Sequence, residues 1–506
     1  MNASIASPSA VPSAPARPTR QLSDLPGPRG VPILGNALQI DISRFHQQVE
    51  QWCAEFGPYY RLRFGKQTTL VVGEHEVVAA MLRDRPEGFR RPVRGQEIAE
   101  EMDLPASVFR NEGEAWRRQR KMVMAGFDPG HVKAYFPAMQ RVAQRLAGRW
   151  HKAAASAAPQ GNSATTAGTE IDLQADLMRY TVDTIAGLAF GAEVNTLETD
   201  GDVIQQHLDK IFPALNRRLF AAVPYWRYFK LPADRQLDRS IVEVKAAIAD
   251  FIAQARARLA ADAGLREHPA NLLEAMIVAA DEPGSGIDDG QVAGNVLGML
   301  LAGEDTTANT VAWMIDLLWR HPAALARATE EVRRVTGDGL HTTLEQFAQL
   351  DFVEACIHET MRLKPVAPQI PLQALRDTVV GDVAVPAGTV VIGLMRRDSV
   401  SDSHLPNAAA FQPERWLAES AVDASAAAPV STGSAHSAKR LSMPFGAGPR
   451  MCPGRYLAML EMKMALAALL GQFDIASVST PDGQPAREKL SFTMTPVGLR
   501  MRLRAR

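Results

Sequence analysis

The sequence predicts a mainly α-helical fold with a minor β portion, built as one large domain. Long stretches place apolar residues three and four positions apart, the spacing of one helix face. Only two regions alternate apolar with polar residues as strands do. The 506 residues could hold about three average domains, yet no mid-chain run reads as an interdomain linker.

The elements follow in chain order. The first 20 residues are rich in Ala, Pro and Ser and lack a basic start followed by an apolar run, so no secretory leader is read there. A disordered tail over residues 1–24 of a cytoplasmic protein is expected, with the folded domain spanning 25–506. QLSDLPGPRGVPILGN (21–36) reads as an irregular lead-in, and 59–73 as a hairpin. Helical periodicity marks 114–126, 131–153, 171–190, 236–262, 289–320 and 455–472. A second strand region covers 377–395, with Gly-Asp and Pro-Ala-Gly turn signals. Ala/Ser/Gly-rich inserts at 153–169 and 418–437 are expected to form mobile surface loops.

Composition excludes several classes. The formal charge is -1, from 55 basic and 56 acidic residues, so no nucleic-acid partner is expected. No window reaches the roughly 18 apolar residues of a membrane span, so no integral anchor is expected. The three cysteines stand far apart with no CxxC pair, which argues against a disulfide framework or a thiolate zinc site. Cys356, among helical signals, reads as a small buried apolar residue.

Cys452 is different. It sits in Phe445-Gly-Ala-Gly-Pro-Arg-Met-Cys-Pro-Gly454, whose glycines and prolines hold a backbone too constrained for a helix. A strongly helical run, YLAMLEMKMALAALLGQF, follows at once. Backbone N–H groups at such a helix start, with Arg450 nearby, favour a thiolate and are expected to lower its pKa. A structural Gly/Pro turn with an inert cysteine is the alternative reading of these ten residues. A dinucleotide loop does not, because Met451 stands where that pattern needs glycine.

FxxGxRxCxG, met by Phe445, Gly448, Arg450, Cys452 and Gly454, resembles the haem-binding loop of the cytochrome P450 family. The resemblance implies haem b (iron protoporphyrin IX), with Cys452 as axial metal ligand, Arg450 as a propionate partner, and Phe445, Gly446 and Gly454 shaping the cofactor cradle. Three further motifs stand in family order. Ala302-Gly-Glu-Asp-Thr-Thr307 resembles the oxygen-activating segment, where the helix bulges and Asp305 and Thr306 form an acid–alcohol pair that delivers protons. Gly303 is expected to weaken that helix. Glu359 and Arg362, three apart on a helix, resemble the ExxR signature, with Arg415 of Phe411-Gln-Pro-Glu-Arg-Trp416 as third member of a buried structural network. Trp116 and Arg120 match WxxxR and would reach the propionates. The resemblance covers about Leu25 to the C-terminus.

What it implies is a monooxygenase that inserts one atom of O2 into a lipophilic substrate, by hydroxylation or epoxidation. A fatty acid, terpene or steroid-like molecule are all compatible with apolar residues at Phe109, Phe212, Leu215, Phe220, Leu297, Leu300, Val366, Ile370 and Phe492. No flavin, dinucleotide or iron–sulfur motif is present, so electrons are expected from a separate partner such as a ferredoxin with its reductase. It would dock on a basic patch of Arg117, Arg118, Lys121, Lys439 and Arg440. A peroxide-driven peroxygenase, a thiolate-haem isomerase and a haem sensor are the rivals, and the acid–alcohol pair favours the oxygen-dependent enzyme.

Overall fold

Strand alternation over 59–73 builds the first anchor of the architecture. A computed structural model describes residues 20–156, 168–191, 195–199, 210–219, 221, 223–417 and 434–506. In it Tyr59–Phe64 and Gln67–Val72 pair antiparallel, as the alternation predicts. Gln67–Val72 continues in parallel onto Val390–Leu394, which pairs with Gln369–Ala374, and that strand pairs with Phe89–Arg90. This five-stranded sheet therefore joins residues 59–90 to the distant segment 369–394. The region 377–395 supplies three strands: the Thr378–Val380/Val383–Val385 hairpin and Val390–Leu394.

Ordered structure begins earlier than residue 25. Arg20–Gln21 pairs with Val383 and Ala384, and Leu22–Asp24 forms a short 3-10 helix. The Arg20 guanidinium donates twice to Asp382, at 3.0 and 2.6 Å. Residues 1–19 of the expected tail lie outside the described residues.

Helices Gly113–Gly126, Pro129–Ala155, Leu173–Phe190, Pro232–Ala261, Asp289–Arg320 and Arg455–Gln472 occupy the periodic stretches, the last two with the expected ends. The inserts differ at their edges. Residues 153–155 are alanines that carry on a helix, in keeping with alanine's propensity, and 434–437 open the helix Ser434–Leu441. Most of both inserts, 157–167 and 418–433, lies outside the described residues.

The central helix, Asp289–Arg320, starts in a capping box. The Asp288 carboxylate accepts from the Gln291 N–H at 2.8 Å, and the Gln291 side chain accepts from the Asp288 N–H at 3.0 Å. It packs closely against Leu173–Phe190, and Gly303 permits this approach, since a Cβ there would lie 2.7 Å from Ile185. The helix is unbroken. The expected weak point at Gly303 is thus a packing position instead.

Candidate functional site

Cys452 sits ahead of the helix Arg455–Gln472, whose N-cap is Gly454. Pro453 biases it away from helical geometry. Gly446 and Gly448 adopt φ of 74° and 71°, the left-handed region that favours glycine. Gly448 also presses on the helix His75–Arg83, where a Cβ would meet the Arg83 Cα at 2.7 Å. The Cys452 N–H donates to the Phe445 carbonyl at 2.9 Å, closing the loop. Burial pushes the Cys452 thiol up, against the opposing pull of the Gly454 N–H, Arg120 and Arg455. The net direction is thus opposite to the expected lowering, because desolvation wins, and the cations opposing it are Arg120 and Arg455 in place of Arg450. A cation bound at sulfur would reverse that balance, because coordination deprotonates a thiol outright.

Trp116 and Arg120 come to the same loop. Arg120 Nη2 donates to the Met451 carbonyl at 2.7 Å, and Trp116 is buried. The Arg450 guanidinium lies over the Trp116 ring at 4.6 Å, and donates to the Asn111 carbonyl at 2.6 Å and to the Glu112 carboxylate. Its Nε is inaccessible and has no partner.

On the central helix, Met299, Ala302, Gly303 and Thr306 keep accessible surface, as do Gly298 and Asp305 beside them, whereas Leu300, Leu301, Glu304, Thr307 and Ala308 are buried. Spacings of three, one and three residues put the first four on one face. An uncovered strip thus runs along the middle of the most central helix. The Thr306 hydroxyl donates to the Ala302 carbonyl at 2.6 Å. Asp305 Oδ2 accepts from the Thr493 hydroxyl at 3.4 Å, Thr493 accepts from Asn309 at 3.2 Å, and Asn309 accepts from Gln174 at 2.9 Å.

Glu359 and Arg362 are both buried and form a two-pronged pair at 2.8 and 2.7 Å. Arg362 also donates to the carbonyls of Ser399, Ala408 and Ala410. Arg415 brings its Nε to 3.4 Å from Glu359, and the Trp416 indole donates to Glu359 at 2.9 Å. The three expected members of this network therefore meet.

Sequence reasoning missed Thr493, Asn309 and Glu461. Burial pushes the Glu461 carboxyl well above the usual range, against the opposing pull of the Thr184 and Thr307 hydroxyls beside it. Its available signal was a single acid in a long apolar run. Thr493 and Asn309 gave none.

The expected substrate lining is reached in part. Phe109 meets Phe492 at 6.1 Å between centroids, and the Val108 N–H donates to Asn295 at 2.7 Å, which ties this loop to the central helix. Leu215, Val366 and Ile370 are half-buried. Leu297 and Leu300 belong to the apolar core, where full burial contributes about 1.5–3 kcal/mol each. Phe220 and the Phe212 side chain lie outside the described residues. The expected basic patch is largely neutralised: Arg117 pairs with Glu87 and Glu114, Lys121 with Glu282, and Arg440 with Glu76. Arg118 and Lys439 have no carboxylate partner among the described residues.

These residues fit a haem with an axial thiolate. A sulfur stands on a constrained loop, an indole and two guanidiniums lie beside it, one buried Arg450 donor is unpaired, and a helix face is uncovered.

A sequence model described as "Cytochrome P450" matches residues 25–503. The chain is 25% identical over 493 residues to "Self-sufficient cytochrome P450 monooxygenase CYP505E4" of Penicillium freii, covering 96% of this chain and 43% of that protein. It is 25% identical over 460 residues to "Cytochrome P450 97B2, chloroplastic" of Glycine max, covering 85% and 78%. The chain thus spans less than half the length of the self-sufficient relatives. A solved structure, "Crystal structure of cytochrome P450DA heme domain", superposes with a TM-score of 0.80 at 23% identity, over 97% of this chain and 99% of that one.

Proposed function

Because this chain belongs to the cytochrome P450 family, we propose that it is a haem-thiolate monooxygenase that inserts one oxygen atom from O2 into a lipophilic substrate. The observation that carries this is the meeting of Cys452, Trp116, Arg120 and Arg450 from two distant motifs at one loop. Haem b bound there would supply the redox and dioxygen chemistry that side chains cannot.

The residues have separate tasks. Cys452 would hold the iron through its sulfur, and Trp116, Arg120 and Arg450 would hold the propionate edge. Thr306 Oγ1 faces the uncovered strip and hands a proton to the oxygen substrate there. Asp305 Oδ2, joined to Thr493, refills that proton from the solvent side. Glu359, Arg362 and Arg415 hold the backbone around 399–410 in place. Phe109, Val366, Ile370 and Phe492 offer the substrate an apolar wall.

Electrons come from a separate partner, a ferredoxin with its reductase or a similar donor, that docks beside the cysteine loop near Arg118 and Lys439. Among the described residues no helix is long and apolar enough to cross a membrane. The decisive test is spectral. Reduced protein under carbon monoxide should show the long-wavelength Soret band of thiolate ligation, and Cys452→Ser should abolish it. A short-wavelength band in fresh, folded wild-type protein would overturn the assignment. Turnover driven by peroxide but not by O2 and electrons would favour the peroxygenase.

A further inference from the structure

We propose that Arg85 and Arg91, which belong to none of the four motifs, donate to the haem propionates beside Arg120 and Arg450. The inference rests on the haem reading above and extends its cofactor site.

The observation is an uncompensated cluster of charge. Arg85 is 3% exposed, and its Nε and Nη2 are inaccessible and without partners. Its nearest carboxylate oxygen, on Glu112, is 4.0 Å away. Arg91 Nε is likewise inaccessible and unpaired. No carboxylate or carbonyl among the described residues accepts from the Arg91 guanidinium. Glu112 already serves three groups: Oε1 takes the Arg91 backbone N–H at 3.0 Å and faces Arg85, while Oε2 takes Arg450. Three guanidiniums, on Arg85, Arg91 and Arg450, therefore share one carboxylate, and a fourth, on Arg120, lies near Arg450.

Burying like charges without counter-ions is costly. The strain registers on Arg91 itself: desolvation, with Arg85 and Arg450 nearby, pushes its guanidinium down to about 9. Two propionates would remove most of the excess, since four cations against three anions leave one unit.

Position agrees with this. Arg85 follows the helix His75–Arg83, whose end packs on Gly448 of the cysteine loop. The Arg91 guanidinium carbon stands 3.6 Å from the Phe109 ring centroid. Stacking fixes the plane of a guanidinium and leaves its edge N–H groups free to donate. Phe109 in turn meets Phe492, so a carboxylate on the substrate is the competing occupant. The nearness of Arg91 to Arg85 and Arg450 favours the propionates.

The test uses holoprotein loaded either with haem or with haem dimethyl ester, whose propionates carry no charge. Haem release to excess apomyoglobin and the reduction potential are measured for wild type, Arg85→Met, Arg91→Met and Arg91→Lys. With haem, each Met variant should release the cofactor about tenfold faster or more, as expected for one lost charged hydrogen bond. The potential should fall, because a nearby cation favours the reduced state. With the dimethyl ester, wild type and variants should release at one rate. Arg91→Lys, which keeps the charge and loses the fork, should lie between wild type and Arg91→Met. It also serves, with Arg85→Met, if Arg91→Met does not fold. Equal acceleration with both cofactors would mean that the arginines only pack, and would overturn the proposal. So would unchanged haem release combined with weaker spin-state shifts for a long-chain carboxylate. Wild-type protein that takes up no haem would sink the functional reading itself, a result distinct from either of these.

Discussion

The Arg450 guanidinium stacks over the Trp116 indole with 4.6 Å between carbon and ring centroid, joining the helix Gly113–Gly126 to the cysteine loop. A desolvated contact of this kind contributes about 1–2 kcal/mol. Trp116→Leu should keep the fold, because Leu fills much of the buried volume, yet free Arg450 to move. The expected result is a several-fold lower ratio of haem absorbance to protein in purified material. An unchanged ratio would show that the stack does not organise the cofactor edge.

Glu359 and Arg362 are wholly buried and bond each other twice. Removing one partner leaves an uncompensated buried charge, which costs about 3–5 kcal/mol. Arg362→Met should therefore lower the midpoint of denaturant unfolding sharply, and Arg362→Lys should rescue little, because a single ammonium cannot serve Glu359 and three carbonyls together. Rescue to near wild-type stability by Lys would show that charge alone matters here.

Much of this arrangement was legible in the sequence, for physical reasons that differ by element. The central helix was read to its ends because apolar residues keep three- and four-residue spacing across 289–320. ExxR was legible because a three-residue spacing fixes a shared helix face. By contrast, the Asp305–Thr493 contact joins residues 188 apart, and no local spacing encodes such a pair. Gly303 was misread because a glycine that admits Ile185 looks, in one dimension, like a glycine that weakens a helix. The basic patch was misread for a similar reason. Its cations are local in sequence, whereas Glu87, Glu282 and Glu76, which neutralise three of them, are supplied by other segments.

Glu354 predicts a pH dependence of stability. The His358 imidazole and the Lys463 ammonium, at 3.8 and 2.5 Å, hold its carboxyl down to about 2 from an ordinary 4.5. A depressed carboxyl binds fewer protons folded than unfolded, so its contribution is complete above about 4.5 and is lost as pH falls toward about 2. Glu354→Gln should destabilise the protein at neutral pH and flatten the fall in stability across that acid window. Parallel acid-unfolding curves for the two proteins would contradict this.

Arg118 and Lys439 should carry more of the electron-donor encounter than their neighbours. Arg117, Lys121 and Arg440 already face carboxylates, so reversing them changes a pair and not an open charge. Arg118→Glu with Lys439→Glu should slow reduction by an acidic donor at low salt, with the difference shrinking as salt screens the surface. The same double change at Lys121 and Arg440 should slow it less. Equal effects from both pairs would place the donor elsewhere or spread it over the whole face.

On the proposed reading Thr306 and Asp305 divide the proton work differently, and their hydrogen bonds differ. The Thr306 hydroxyl turns back on the Ala302 carbonyl at 2.6 Å, so it must leave that bond to serve a guest on the uncovered strip. Asp305 is held instead toward Thr493 at 3.4 Å, on the segment that also carries Phe492. Thr306→Ala should leave O2 consumption largely intact while product per O2 falls several-fold and peroxide rises, because oxygen is still reduced but no positioned donor completes the proton delivery. Asp305→Asn should slow O2 consumption itself, since refilling of the donor fails. Thr493→Val should reproduce a weaker form of the Asp305→Asn defect by releasing the carboxylate from its hold. Measured together as oxygen uptake, peroxide and product, the three variants sort the roles. Full coupling in Thr306→Ala would remove that hydroxyl from proton delivery, and a Thr493→Val enzyme with wild-type rates would show that the Asp305–Thr493 contact serves packing alone.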